Sequence, residues 1–319
     1  MVTVSSMIVP PGNRLARLLA LGCSAALLPL AGWAASGQHA PSAGRAEARI
    51  GTSTPPRASL AGGEAASVGS TTAASDPVRL ASELASAEKV LGEGRASPAV
   101  MARQALIVQA ACLRLAGRPG LSRTIIKHVA WSQRGAAAGD IAAVADLAAL
   151  ASPTTKLPRW KIVPADSLAS LRADYQAAQG ATGVPWTYLA AINFAETDFG
   201  RIAGLSSAGA EGPMQFIPST WALYGHGDVH RPRNAIAAAA RFLADHGAPG
   251  DIDAAVHAYN PSWRYVDAIR RYATRLSTDP DALSGYYYRA VTYRLNRGWV
   301  LLPPGYGPNS GIRPVPIRT

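Results

Sequence analysis

Cysteine is almost absent: Cys23 and Cys112 are the only two in 319 residues. The first lies in an N-terminal apolar run, so a chain that loses this run has no internal disulfide to form and must be held by packing. Lysine is nearly as scarce, at positions 89, 127, 156 and 161, and arginine therefore carries most of the formal charge of +11. A basic surface suits a polyanionic partner such as nucleic acid, anionic lipid or an acidic wall polymer. The basic residues are scattered, however, and no run of them is interleaved with aromatics, which argues against nucleic acid. There is no Gly-rich phosphate loop, no G-x-S-x-G elbow and no internal repeat, which removes the nucleotide-binding, α/β-hydrolase and solenoid classes.

What is present begins with Arg14 and Arg17, followed by LLALGCSAALLPLAGWAAS from Leu18 to Ser36. A positive flank, an apolar run and small residues at its end predict a secretory signal peptide over residues 1–36. The alternative is an uncleaved anchor, because the run is close to the ~18 residues at which a spanning helix becomes plausible. Either way the chain is expected outside the cytoplasmic membrane, in the cell envelope or secreted, with transient membrane association through this segment. Cys23 follows LALG, but the apolar run continues past it, against lipidation. Residues 37–76 are Ala, Ser, Gly, Thr and Pro with few large apolar side chains, a composition that cannot offset its ordering entropy and reads as a tether.

Helical periodicity starts after Pro77. Leu80, Leu84, Ala87 and Leu91 form one stripe, and Met101, Ala105, Val108, Cys112 and Leu115 a second, which places Cys112 in a core. Pieces near Ile125 and Val129, then Ile141, Val144 and Leu147 behind a cap at Asp140, complete a small helical module over 77–157 with no chemical constellation. The proline-rich stretch SPTTKLPRWKIVP leads to a second helical block, 158–278. Its helices are expected at Ser167–Gln179, Pro185–Phe199, Asn234–His246, Asp251–Tyr259 and Ser262–Leu276, punctuated by Gly180, Gly200, Gly247 and Asn260-Pro261. In 279–319, YYYRAVTYRL-NRG-WVLLP predicts a β-hairpin with a three-residue turn, followed by an irregular Pro/Gly-rich tail. The fold class is mainly α, with a C-terminal hairpin.

One residue in the second block is out of place. In LAAINFAETDFG, Leu189, Ile192 and Phe199 share a helix face, and the position completing the stripe is Glu196. An exposed residue or half of an ion pair is the ordinary explanation. A carboxyl in an apolar wall instead has its charged form disfavoured, and a carboxylic acid kept protonated near neutral pH serves as a general acid. Two later segments favour that second explanation. SSAGAEGPMQFIPSTW is a small-residue loop in which Gly209 and Gly212 would let backbone approach a ligand, with Met214 and Gln215 offering an adaptable wall and an amide. HAYNPSWRYVDAIRRYA places Tyr259 on an apolar face, where its hydroxyl needs a partner that a buried glutamate would supply.

The E-T at Glu196, G-P-M-Q at Gly212 to Gln215 and A-Y-N at Ala258 to Asn260 together resemble the three ordered motifs of lytic murein transglycosylases, in the secreted branch with GPMQ. The resemblance covers about Trp160 to Leu276 and implies a goose-lysozyme-like helical catalytic domain. It further implies Glu196 as the sole catalytic acid/base, Met214 and Gln215 lining a sugar groove, Tyr259 holding the glutamate and Asn260 shaping the site. Neither a cofactor nor a metal is implied. The substrate would be the glycan strand of peptidoglycan, cut between N-acetylmuramic acid and N-acetylglucosamine with closure of a 1,6-anhydro ring.

Pro213 stands where many members have leucine, and Glu211 adds an acid beside the groove. His226 and His230 are four apart, but Gly227 and Pro232 argue against a helix presenting both to a metal. A hydrolytic lysozyme on the same fold is the nearest alternative and would need a second carboxyl. Asp198 is disfavoured for that role, since two helical residues turn it roughly 200° from Glu196, which leaves Glu211. A non-catalytic wall-binding scaffold is the third possibility. The N-terminal signal predicts a mature chain starting near Ala35 to Gly37. N-terminal sequencing of the exported protein should find it, whereas an intact Leu18 to Leu30 on membrane-bound protein would indicate the anchor.

Overall fold

The computed structural model describes residues 76–317. The expected signal peptide at 1–36 and the tether up to residue 75 lie outside them. Among the described residues the chain is mainly helical. The helices are α1 (Pro77–Glu93), α2 (Pro98–Ala116), α3 (Pro119–His128), α4 (Trp131–Leu150), α5 (Leu168–Thr182), α6 (Trp186–Thr197), α7 (Pro218–Tyr224), α8 (Pro232–Asp245), α9 (Ile252–Tyr259), α10 (Trp263–Thr278) and α11 (Ala282–Tyr287). The short strands β1 (Lys161–Ile162) and β2 (Ile202–Ala203) pair antiparallel, and β3 (Thr292–Leu295), β4 (Gly298–Leu301) and β5 (Val315–Pro316) form an antiparallel sheet in that order.

Helix starts follow local chemistry. Asp76 accepts a hydrogen bond from the Val78 amide, and Ser167 from the Ser170 amide. Asp251 likewise accepts from the Ala254 amide, so each helix has one of its orphan N–H groups satisfied. Proline opens α1, α2, α3, α7 and α8, where its missing N–H costs nothing. The α2 stripe from Met101 to Leu115 is buried as its spacing predicts, Cys112 included. Burial pushes the Cys112 thiol up to about 12, so it is a core residue without thiolate character. By length and composition α2 could cross a membrane, but half of it is packed inside the molecule.

Three apolar clusters organise the chain. The first gathers α1–α3 with Ala137 and Ile141 of α4. The largest gathers α5, α6, α8, α9 and α10 around Tyr175, Ile192, Met214, Phe216, Tyr259 and Tyr272. The third lies between β1, β2 and the C-terminal sheet, around Trp160, Ile202, Val300 and Tyr306. Helix α4 belongs to two of them: Ala143 and Leu147 enter the large cluster, and α4 lies along α10. A chain starting near Pro158 would leave that face of α10 uncovered.

Several local expectations differ from the structure. Asp140 does not cap a helix; it lies within α4, which begins nine residues earlier at Trp131. Its carboxylate is buried, accepts from the Tyr286 hydroxyl at 2.6 Å and pairs with Arg289 at 2.7 Å. Alanine-rich sequence carries helix through the region, and a long-range ion pair, not an N-terminus, explains the acid. The hairpin turn has two residues, Asn296 and Arg297, because Leu295 pairs with Gly298. Gly298 takes φ 119°, which only glycine adopts easily, and this lets the strand restart one residue early. The tyrosines Tyr286 and Tyr287 end α11 instead of starting a strand, and the tail expected to be irregular contributes β5.

Asp140→Ala is expected to destabilise the protein by about 3–5 kcal/mol, because it strands the buried Arg289 charge. A fall in denaturation midpoint checks this. A change within half a kcal/mol would mean that the pair contributes no net stability and that Arg289 finds other partners.

Candidate active site

Helix α6 positions the acid. Leu189, Ala190, Ile192 and Asn193 are all fully buried, and Glu196 is 0% exposed with them. Phe199 is not helical, contrary to the expected stripe. The helix stops at Thr197, and Asp198, Phe199 and Gly200 all take left-handed backbone, with φ of 50°, 65° and 83°. The Asp198 amide donates to the Phe194 carbonyl, the 5→1 bond of a left-handed cap, and the Phe199 amide donates to the Asn193 carbonyl. Left-handed backbone is unfavourable for a residue as bulky as phenylalanine. Stacking of Phe199 on Phe194, with ring centroids 5.3 Å apart, holds it there.

The loop carrying Gly212 to Gln215 is fastened to this helix end by a buried polar network. Tyr175 donates its hydroxyl to Asn193 Oδ1 at 2.6 Å, and Asn193 donates its amide to the Pro213 carbonyl at 2.8 Å. Thr197 donates to the same carbonyl at 2.6 Å and accepts from the Gly200 amide. The threonine beside the acid thus fixes the loop to the helix. Gly212 has φ 75°, and a Cβ there would lie 2.3 Å from the Val229 carbonyl oxygen. Its absent side chain admits a neighbouring loop, not a ligand as the sequence suggested.

The other expected residues gather around this loop. Met214 is in the large core, and Gln215, in left-handed backbone at φ 51°, donates its side-chain amide to the Gly212 carbonyl. Tyr259, at the end of α9, donates its hydroxyl to the Met214 carbonyl at 2.5 Å. Asn260 is buried just beyond, and its Nδ2 has no hydrogen-bond partner among the described residues. The hydroxyl that reaches Glu196 belongs to Tyr265, not Tyr259: it donates to Oε1 at 2.6 Å. A tyrosine has one proton to donate, and that of Tyr259 is directed at Met214. The signal for Tyr265 was present in the sequence, since Tyr265, Ile269, Tyr272 and Leu276 repeat at four, three and four on the buried face of α10. The requirement for a hydroxyl partner applied to it as much as to Tyr259.

Burial raises Glu196 to about 7, against the opposing pull of the Tyr265 hydrogen bond, which favours the ionised form. Oε2 has no hydrogen-bond partner among the described residues. A protonated acid is therefore available near neutral pH, one oxygen anchored and the other uncommitted. Asp198, half-buried, is also raised by burial to about 7, with Arg201 and Arg289 pulling it down. The helical argument that turned it away from Glu196 does not apply, because Asp198 lies past the helix end. Glu211 is half-buried, bridged to Phe216 through the backbone and 3.5 Å from His230. Among the described residues no three His, Cys, Asp or Glu side chains converge as a metal site would require.

Residues 175–279 match the family described as Transglycosylase SLT domain. That match covers about a third of the chain, and in this segment the chain is similar to that family. The matched segment contains Glu196, the Gly212–Gln215 loop, Tyr259, Asn260 and Tyr265, and its first residue is the Tyr175 that anchors the polar network. A protein of Thiobacillus denitrificans called membrane-bound lytic murein transglycosylase F is 29% identical over 150 residues, covering 41% of this chain. The chain spans about a third of the length of that curated relative, 32%. No solved structure matches the chain.

An acid raised on folding stabilises the native state at low pH, and the contribution is lost as pH rises from its unfolded value towards about 7. Glu196→Gln removes that loss. The variant is expected to gain stability relative to wild type between pH 4.5 and 7, by on the order of 3 kcal/mol, and to keep the gain above pH 7. Melting curves across pH 4–8 test this. A difference independent of pH would show that Glu196 titrates normally.

Proposed function

We propose that this protein is a peptidoglycan lytic transglycosylase that cuts the β-1,4 bond between N-acetylmuramic acid and N-acetylglucosamine and leaves 1,6-anhydro-N-acetylmuramic ends. The observation that carries this reading is the Glu196 carboxyl inside the SLT match, wholly buried and raised to about 7. Glu196 protonates the leaving oxygen as general acid while the substrate's own N-acetyl group stabilises the developing positive charge. The resulting carboxylate, with Tyr265 on Oε1, then takes the proton of the C6 hydroxyl, which closes the ring. One carboxyl suffices, because an attached hydroxyl replaces water at an effective molarity of ~10⁵ M or more. Met214, Gln215, Tyr259 and Asn260 would shape the glycan groove, the buried ones by holding the loop in place.

The basic charge suits an acidic wall polymer, and the N-terminal pattern together with the relative's name supports a site of action in the cell envelope, outside the cytoplasmic membrane. By role, residues 77–157 would form a supporting module, 158–278 the catalytic domain and 279–319 a hairpin and tail.

Glu196→Gln is expected to lower cleavage of purified peptidoglycan by ~10²–10⁴-fold in a folded protein. Mass analysis of wild-type products should find fragments lighter by one water than their hydrolysed counterparts, and Glu211→Gln should keep most activity. Borohydride-reducible ends in place of anhydro ends would make the enzyme a lysozyme, and turnover by Glu196→Gln at the wild-type rate would remove Glu196 from the mechanism. Tyr265→Phe removes a bond that favours the carboxylate, so Glu196 should stay protonated to higher pH. The alkaline limb of the pH–rate profile should move upwards, and a downward shift would contradict the assigned role of Tyr265.

A further inference from the structure

Charge is unevenly divided in the helical module that precedes the family match. From Gly94 to Gly139 the chain has seven Arg or Lys residues and no Asp or Glu. Neighbouring acids are engaged elsewhere: Glu83 pairs with Arg79, Glu88 with Arg275 and Asp140 with Arg289. Helix α3 displays the resulting excess. Gly120, Arg123, Thr124, Lys127 and His128 are exposed at the three-and-four spacing of one helix face, and Arg118 is exposed just ahead of them. Among the described residues, Arg118, Arg123 and Lys127 take part in no ion pair.

Where α3 ends, the chain turns and begins α4 with Trp131, which is 84% exposed and the most exposed large apolar side chain among the described residues. A single surface tryptophan needs no explanation by itself. Its surroundings supply one. Arg134 folds back across the corner, donating to the Val129 carbonyl at 2.8 Å and the Lys127 carbonyl at 2.5 Å, with its guanidinium 5.6 Å from the Trp131 ring. The indole is thereby held at the end of the basic face. Ala130, Trp131 and Ser132 are all exposed, so the corner points outward. An outward corner suits a flat surface better than a polymer strand or small molecule, which is held in a concave groove. An amphipathic indole beside cations on long alkyl stems matches the boundary of a bilayer, where the ring sits among headgroups and the cations meet phosphate.

We propose that the α3–α4 corner is a docking surface for a bilayer containing anionic phospholipid, with Arg118, Arg123 and Lys127 on headgroup phosphates and Trp131 at the boundary with the acyl chains. Each cation adds attraction that falls off within a Debye length of such a surface, and the acid-free stretch brings no carboxylate repulsion with it. Docking here leaves the candidate active site open. Helix α3 packs on α1, α2 and α4, whereas α4 enters the large core towards its other end, through Ala143 and Leu147. From Trp131 to Leu147 α4 spans roughly 24 Å at the helical rise per residue. The module then serves as a spacer between the bilayer and the core that holds Glu196. This inference is independent of the chemistry assigned to that residue.

The test is co-sedimentation with vesicles, using the chain from Gly37, which keeps every described residue and lacks the apolar run. Vesicles of phosphatidylglycerol with phosphatidylcholine are compared with phosphatidylcholine alone. Wild type should bind the anionic vesicles, lose that binding in high salt and stay in solution with the neutral ones. Arg123→Gln combined with Lys127→Gln keeps helix propensity and should weaken binding about thirtyfold, the scale of two cations at an anionic surface. Trp131→Ala should weaken it roughly tenfold, an effect that a purely ionic attachment would not show. All three positions are exposed, and melting midpoints equal to wild type establish that the variants are folded. Unchanged vesicle binding in both variants, or equal affinity of wild type for neutral and anionic vesicles, would overturn the proposal. Retention of wild type on poly(glycerol phosphate) without vesicle binding would also overturn it, and would make a soluble polyanion the partner.

Discussion

A carboxylic acid taken wholly out of water is the constraint on which the rest of this structure depends. Leaving Glu196 among apolar neighbours disfavours its charge, and the Tyr265 hydroxyl acts directly against that. An acid held in this way keeps its proton only while water stays out, so the packing of α6 between α10 and the rest of the large core is part of the chemistry. The buried polar atoms nearby follow the same logic. Tyr175, Asn193, Thr197 and the Pro213 carbonyl satisfy one another, which fixes the loop without admitting solvent.

The flanking helices extend this packing. Helix α4 covers α10, which carries Tyr265, and Asp140 ties α4 to Tyr286 and Arg289 on the far side of the SLT match. A second link joins Glu88 of α1 to Arg275 of α10 at 3.0 Å. The position of α10, and with it the hydroxyl on Glu196, is therefore set partly by segments outside the family match. The matched segment carries the buried acid, and its neighbours help set the distances around it.

Much of this was legible in the sequence because it depends on local periodicity. The stripes of α1 and α2, the misplaced Glu196 and the punctuation at Gly200 and Asn260-Pro261 are statements about neighbours three or four residues apart. What was missed depends on partners far along the chain. Asp140 looks like a cap until Arg289 arrives from 149 residues away. Tyr259 and Tyr265 both face inwards from adjacent helices, and spacing does not tell which hydroxyl meets the glutamate. The end of α6 was set two residues too late because Phe199 fits an apolar helical stripe, whereas it takes left-handed backbone and stacks on Phe194. Gly212 was assigned to ligand approach when the carbonyl of Val229 occupies that space.

The three consecutive left-handed residues after Thr197 also limit how this segment can vary in length. They reverse the chain within a single turn, and the threonine hydroxyl that accepts from the Gly200 amide spans the reversal. Inserting or deleting one residue between positions 197 and 200 would break that span and carry Phe199 off Phe194. Point substitutions here are a question of side-chain fit, but a change of length would turn the following segment, β2 and the loop beyond it, to a new heading. Helix α6 and the loop it holds are thus bound to a fixed spacing, and variation in chain length must fall elsewhere.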